Sequence, residues 1–507
     1  MMSNTETSEL PRPLIALCWL VTLTVTLLPV LRAELPPGAD MLNHVARLHV
    51  LHTLPFDTDL QRYYLSGWGI LPNLAMDIVT WPLLYFMSAY QAGKAFVVIS
   101  ILLMFAGVSA LRFQLHGKVG LLPLCVALIA YNAPLAMGFA NFYFGLGLSL
   151  LMIAGWLAMT NRPGWQRTGI GNLFAIMLFF THLIILGLYG FILAMHRGGE
   201  YLRGERINVR RDTPLIAQFI IPAILWFQVK APAHGTETVF GSLFTRLEAL
   251  ITPVLYFNDF DIVIAIALIA LLGWLLASRR IGVAAPLLIP ILALSILSLL
   301  MPVRLAGVWL THIRLPVMVA LLLISAIEIR MEERRLRVLI AATLVLFTML
   351  RLEKVDRSIA GCDAKRLEFT DVISALPTGA RVLPVFEKSS VTGDCIFSNY
   401  WNLPALAVIE KSVFYPMMFV HMQPLAIRPE FNHLVQKIAE PAPPELLSGN
   451  AVTYGEADWN ATITARWRKE FDYLIWLHPG TKPGLIPKGI SAIGGAEFFT
   501  LYRIDDK

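Results

Sequence analysis

A chain of 507 residues that is 56% hydrophobic and only 15% charged, with a mean hydropathy of +0.64, has the composition of a protein dissolved in lipid; soluble domains carry about 25% charged residues. Residues 119–161 contain no Asp, Glu, Lys or Arg, and at about 1.5 Å of rise per residue such a run is two membrane spans and a turn. Net charge is +6, but the basic residues lie mainly in short loops between apolar runs, where they set orientation; nucleic acid is excluded as a partner.

In chain order, apolar runs near 13–32, 70–90, 94–112, 118–136, 140–160, 171–195, 214–230, 261–278, 282–303, 308–328 and 337–351 predict about eleven transmembrane helices. The first is expected to stay uncleaved: it is longer than a signal-peptide core, only Arg12 precedes it, and no small-x-small site follows. Basic loops at 196–213, at Arg279-Arg280 and at 330–337 share one parity and predict a cytoplasmic side. That choice puts the N-terminus inside and the loop 33–69 outside, in a multi-pass protein of the plasma (inner) membrane with an extracytoplasmic tail. It also leaves Arg112, Lys118, Arg162 and Arg167 in outer loops, against the rule.

The tail, 352–507, alternates: a helix at 365–376, a strand at Arg381–Phe386, a strand near Ala405–Ile409, helices near 429–439 and 456–470, and strands at Tyr473–Leu477 and Phe498–Arg503. The expected fold class is therefore an all-α polytopic membrane bundle over 1–351 with a small C-terminal α/β domain over 352–507. Cys18 and Cys125 lie in apolar spans as packing residues. Cys362 and Cys395 sit on the oxidising side, where a disulfide and two free thiols are both open. No Walker A loop, G-x-G-x-x-G, G-x-S-x-G, H-E-x-x-H or CxxC pair is present, which disfavours ATPases and the common hydrolases.

Chemistry concentrates in the first outer loop, Glu34-Leu-Pro-Pro-Gly38-Ala-Asp40-Met-Leu-Asn43-His44-Val-Ala-Arg47. Proline and glycine break the chain, and a helix can start on Asp40 as its cap. Asp40, His44 and Arg47 then share one helical face, where a carboxylate, an imidazole and a guanidinium can bind a phosphate and take a proton from a hydroxyl; a capped interfacial helix with a solvated face is the plainer alternative. A second place is Arg304 and Trp309-Leu-Thr-His312-Ile-Arg314. Too few uncharged residues separate Arg314 from Glu328 for a full crossing, so Arg314 lies in or at the edge of the apolar zone, either clamping a lipid phosphate or snorkelling. Asp77, in the second run, is a buried acid, either functional or simply paired with a basic residue such as Arg314. His182 sits mid-span, and Asn132, Pro134 and Asn141 mark broken helices. Outer loop 231–260 adds His234, Glu237, Asp259 and Asp261 as cleft candidates. Tyr63, Tyr64 and Trp68 read as an interface belt.

A first span, an outer loop with an early acid, short surface helices, many spans and an outer α/β tail resemble the GT-C superfamily of integral membrane glycosyltransferases. Gly38-Ala-Asp40-x-x-x-His44 with its following arginine, and Asn141-Phe-Tyr-Phe-Gly145-Leu-Gly147, resemble uncharacterised bacterial membrane proteins of that kind. The resemblance implies transfer of a sugar from a polyprenyl-phosphate donor to an acceptor hydroxyl of a glycan or lipid. Asp40 would be base or acceptor organiser, beside His44, with Arg47, Arg304, His312, Arg314 and Asp77 around the phosphate. Many members carry an acidic pair in this loop, whereas Met41 follows Asp40; no cofactor is certain, and a divalent cation stays open. A transporter using Asp77 and His182, or a non-catalytic assembly protein, are the alternatives.

Overall fold

The computed structural model describes residues 11–229, 237–256, 259–387, 400–420, 422–435, 442–448, 461–479, 483 and 486–505. Helix α1 (Arg12–Arg32) leads to α2 (Met41–Thr53), the short α3 (Thr58–Gln61), strand β1 (Tyr64–Ser66) and α4 (Ala75–Thr80). The bundle follows: α5 (Ala89–His116), α6 (Ala133–Ala136), α7 (Ala140–Ala158), α8 (Gly164–Thr181), α9 (Leu183–Leu202), α10 (Val209–Ala217), α11 (Ile220–Gln228), α12 (Leu243–Glu248) and α13 (Asp259–Ala277). Strand β2 (Ile281–Val283), α14 (Ala285–Leu300), the hairpin β3 (Arg304–Leu305) and β4 (Val308–Trp309), α15 (Leu315–Ala326), β5 (Ile327–Ile329) and α16 (Arg334–Ile373) complete it. Among the described residues α1, α5, α7 and α13 are each long and apolar enough to cross a membrane alone, and α14 and α15 are shorter apolar helices.

Hydrogen bonds sort the helix ends into two groups. At one end Arg112 donates to the carbonyls of Val119 (3.0 Å) and Ile327 (2.8 Å), Arg167 to Arg211 (3.4 Å) and Arg203 to Ala285 (3.3 Å), and Arg280 pairs with Glu333 (3.1 Å). At the other, the Ala39 amide donates to Ala136, the Leu74 amide to Phe180 (2.6 Å), the Ala133 amide to Thr252 (3.1 Å), and Lys94 to Ala33.

Two apolar runs differ from expectation. Residues 70–90 are not a span: Pro72, Asn73 with φ 64° and Pro82 limit them to the six residues of α4 and one 3-10 turn, folded back at the Ala33 end. Residues 171–195 are instead parts of two antiparallel helices, because His182 takes an extended conformation (φ −172°, ψ 127°) and reverses the chain. The two differences offset each other along the chain. They also move Arg112, Lys118, Arg162 and Arg167 to the end that holds the other arginine loops. Residues 118–136 form a 3-10 helix (Leu122–Leu128) and α6, broken by Pro123, Asn132 and Pro134; Val126–Leu135 are buried, so the irregular backbone here is packed inside the bundle.

Helices α5 and α7 touch backbone to backbone. A Cβ on Gly147 would sit 2.3 Å from the Leu103 carbonyl carbon, and one on Gly107 2.5 Å from the Gly147 oxygen, the close approach small residues permit in membranes. Helix α16 runs 40 residues, about 60 Å. Its first part exposes Val338, Leu339, Val345 and Leu346; beyond it Leu352, Val355, Ile359, Cys362, Arg366, Phe369 and Ile373 recur every three or four residues and form a buried stripe that carries the helix into the tail.

The tail contains α17 (Leu406–Lys411), α18 (Ala461–Glu470), β6 (Val382–Phe386), β7 (Leu425–Ile427), β8 (Tyr473–Leu477), β9 (Ile490–Ala496) and β10 (Phe499–Ile504). A four-stranded sheet has order β6-β8-β10-β9, with β6 parallel to β8 and the rest antiparallel. The segment expected as a strand at Ala405–Ile409 is α17 instead. Strand β7 pairs with β1, and Tyr63 and Tyr64 are buried there, donating to the carbonyls of Gly379 (2.6 Å) and Val413 (3.2 Å). They dock the tail on the first loop and are no membrane belt; Trp68 stays exposed beside Trp81. Cys18 and Cys125 are free and Cys362 is disulfide-bonded, while Cys395, like His234, lies outside the described residues.

Candidate functional site

Asp40 is held by two interlocked glycine turns. Gly38 (φ 119°) and Gly138 (φ 77°) face each other, and a Cβ on Gly138 would meet the Asp40 amide nitrogen at 2.6 Å. That amide donates to the Met137 carbonyl at 3.1 Å, and Asp40 occupies the position before α2, but its side chain makes no capping hydrogen bond to the helix. One carboxylate oxygen accepts from Asn402 Nδ2 at 3.0 Å; the other has no hydrogen-bond partner among the described residues. Asn402 is fixed by Asn43, which also donates to Met417 (2.8 Å) and accepts from the Phe419 amide (2.9 Å). The tail therefore reaches down to the carboxylate. Burial pushes the Asp40 carboxyl up to about 7, against the lowering influence of Arg314 and Asn402.

Arg314 caps α15 at the same end, 5% exposed. Its guanidinium lies 4.0 Å over the Phe139 ring, donates to the Trp309 carbonyl (3.3 Å), faces His182 Nε2 at 3.2 Å and leaves Nε without a partner. His182 Nδ1 accepts from the Ile184 amide at 3.1 Å. A neutral imidazole has one acceptor nitrogen, so it serves Ile184 or Arg314, not both. Arg314 is thus a buried cation short of acceptors, near Asp40 but without a direct ion pair to it. Such a group is stabilised by an added anion.

The other expected residues are engaged elsewhere. Arg47 and Asp77 form a fully buried bidentate pair, Nε–Oδ1 3.0 Å and Nη2–Oδ2 2.9 Å; Asp77 is partnered by Arg47 and not by Arg314. His44 turns its Nδ1 to Arg47 (2.9 Å) and its ring edge to Phe419, and burial beside Arg47 drives its basicity well below the usual imidazole value. Arg304 pairs with Glu237 at 3.0 Å and stacks on Trp309 at 4.3 Å, bracing the hairpin whose carbonyl holds Arg314. His312 is buried two residues from Arg314, with Nδ1 unpartnered. Asp261 pairs with Arg351 at 3.0 Å and supports the bundle, and Asp259 starts α13 beside it. Asn141, from the motif of the resemblance, accepts from the Met76 amide (2.7 Å) and donates to the Asn73 carbonyl (2.5 Å), tying down the folded-back segment.

This bundle, with a long helix leading into a tail that covers the first loop, has the fold of a solved protein that carries a lipid phosphate. The particular likeness is to the crystal structure of ArnT from Cupriavidus metallidurans bound to undecaprenyl phosphate, with a TM-score of 0.54, 12% identity, and coverage of 97% of this chain and 98% of that one. At that identity the likeness concerns the fold. The chain matches no protein-family model and no curated protein.

Proposed function

We propose that this protein transfers a glycosyl group from a polyprenyl-phosphate donor to a hydroxyl of a glycan or lipid acceptor, on the extracytoplasmic face, where Asp40 and Arg314 lie near each other. Asp40 takes the proton of the acceptor hydroxyl, the acceptor oxygen bonds the anomeric carbon, and the bond from that carbon to the phosphate oxygen breaks. Polyprenyl phosphate leaves with the electron pair, its growing charge offset by the guanidinium of Arg314. Arg304, Arg47, His44 and Asp77 act by holding the surrounding structure, and His312 is buried two residues from Arg314. The reading rests on a single observation: an acid poised near neutrality and an acceptor-starved arginine occupy one end of a bundle whose fold is shared with a protein crystallised with undecaprenyl phosphate.

Orientation belongs to the same proposal. Eleven crossings (α1, α5, 118–136, α7, α8, α9, α10–α11, α13, α14, α15 and α16) alternate between the two ends. The Asp40 end is opposite the arginine-rich end, which the positive-inside rule assigns to the cytoplasm. The N-terminus is then cytoplasmic and the tail extracytoplasmic, with the bundle at 1–351 and the tail at 352–507. The test is a transfer assay on the purified chain in lipid with polyprenyl-phosphate sugars. Wild type is expected to form product and release polyprenyl phosphate, while Asp40→Asn stays inactive although folded; uptake of solute without transfer supports a transporter instead.

A further inference from the structure

At the end of the bundle opposite Asp40, the ends of α7, α8, α9 and α10 border a narrow, partly open cleft of about 20 Å³, lined among others by Trp156, Thr160, Arg167, His196, Arg197 and Arg211. Two of its three arginines are neutralised. Arg197 meets Glu200, Glu205 and Asp212 at 2.9, 2.7 and 2.6 Å, and Arg211 meets Glu200 and Glu205 at 2.5 and 2.6 Å. Arg167 differs. It is 6% exposed, pairs with no carboxylate among the described residues, rests 4.6 Å over Trp156, gives one N–H to the Arg211 carbonyl at 3.4 Å and leaves Nε unpartnered.

A buried guanidinium left short of acceptors is costly, and its planar fork fits two phosphate oxygens. Arg167 also lies in the first turn of the 18-residue α8, whose N-terminus has no side-chain cap, so its free amides add positive potential there. Across residues 160–212 seven arginines face three carboxylates, leaving a net positive field. The surroundings are apolar and open: Trp165, Leu202, Ile207 and Val209 are 75%, 78%, 80% and 73% exposed, the surface that acyl chains cover.

We infer that a phosphate oxygen of an anionic phospholipid enters this cleft, with Arg167 as its ligand, the rest of the headgroup outside and the exposed apolar residues against the lipid's chains. Basic pockets between helices at a membrane surface bind such headgroups. The site is independent of Asp40 and of glycosyl transfer, so each reading stands or falls alone.

Native mass spectrometry of the full chain, released from detergent with phosphatidylglycerol or phosphatidylcholine, tests it. Wild type is expected to retain phosphatidylglycerol with a preference of roughly five-fold or more, the value of about one basic contact. Arg167→Gln is expected to bring the two lipids to parity, and Arg167→Lys to keep part of the preference. Equal retention of both lipids by wild type, which requires no variant to fold, overturns the inference, as does an unchanged preference in Arg167→Gln. Thermal stabilisation of wild type by inorganic phosphate, with none from phosphatidylglycerol, overturns the lipid assignment in favour of a soluble anion.

Discussion

The Asp40 carboxyl titrates at about 7 because burial outweighs Arg314 and Asn402, so a base at this position is protonated and silent below that pH and active above it. We expect kcat/KM to rise about tenfold per pH unit up to an apparent pKa near 7 and then level off. Asp40→Asn is expected to flatten that limb and cost about a hundredfold or more; a profile unchanged in the variant removes Asp40 from the chemistry. The shift also has a stability sign. The folded-state value is raised, so the contribution of the protonated group is complete below about 4 and is lost as pH rises through 7; Asp40→Asn should raise the thermal midpoint at pH 8 relative to wild type. Arg47 and Asp77 behave in another way. Truncating either leaves a buried charge, a cost of about 3–5 kcal/mol, whereas Arg47→Met with Asp77→Leu should restore most of the stability. Thermal inactivation of the two single variants and the double variant measures this. Asp40 was legible in the sequence because proline and glycine isolate it before a helix. Asn402 was not, since it lies 362 residues away and carries no local signal.

Elements were legible where composition alone decides them. Helices α1, α5, α7 and α13 follow from uninterrupted apolar runs, and β6, β8 and β10 from apolar strands between stops. Residues 70–90 misled because a re-entrant segment and a span share one hydropathy, and only Pro72, Asn73 and Pro82 distinguish them. His182 misled because one extended residue reverses an apolar run without changing its composition. Strand β9, rich in Ala and Gly, has little strand propensity of its own and forms by pairing with β10. The same scale yields a prediction at the Gly38–Gly138 contact. Gly138→Ala places a methyl against the Asp40 amide at a φ of 77°, so the turn must shift and carry Asp40 with it. Transfer should fall about tenfold or more while the bundle stays assembled, read as activity against the yield of folded protein; full activity would mean that Asp40 tolerates displacement.

Across the whole molecule, charge and chemistry occupy opposite ends. Arginine loops gather at one, and Asp40, Arg314 and the tail at the other. Cysteines introduced at Asn161 and at Ser412 should label from opposite faces of sealed vesicles, with Ser412 on the extracytoplasmic side; labelling from one face would undo the eleven-pass arrangement. The central claim is that Asp40 and Arg314 bracket the phosphate of the lipid donor, and the most direct measurement is a structure of this chain with undecaprenyl phosphate bound. The account predicts the phosphate within hydrogen-bonding distance of the Arg314 guanidinium, with open space for a sugar between it and Asp40. A phosphate bound elsewhere in the bundle, with Arg314 untouched, would contradict it.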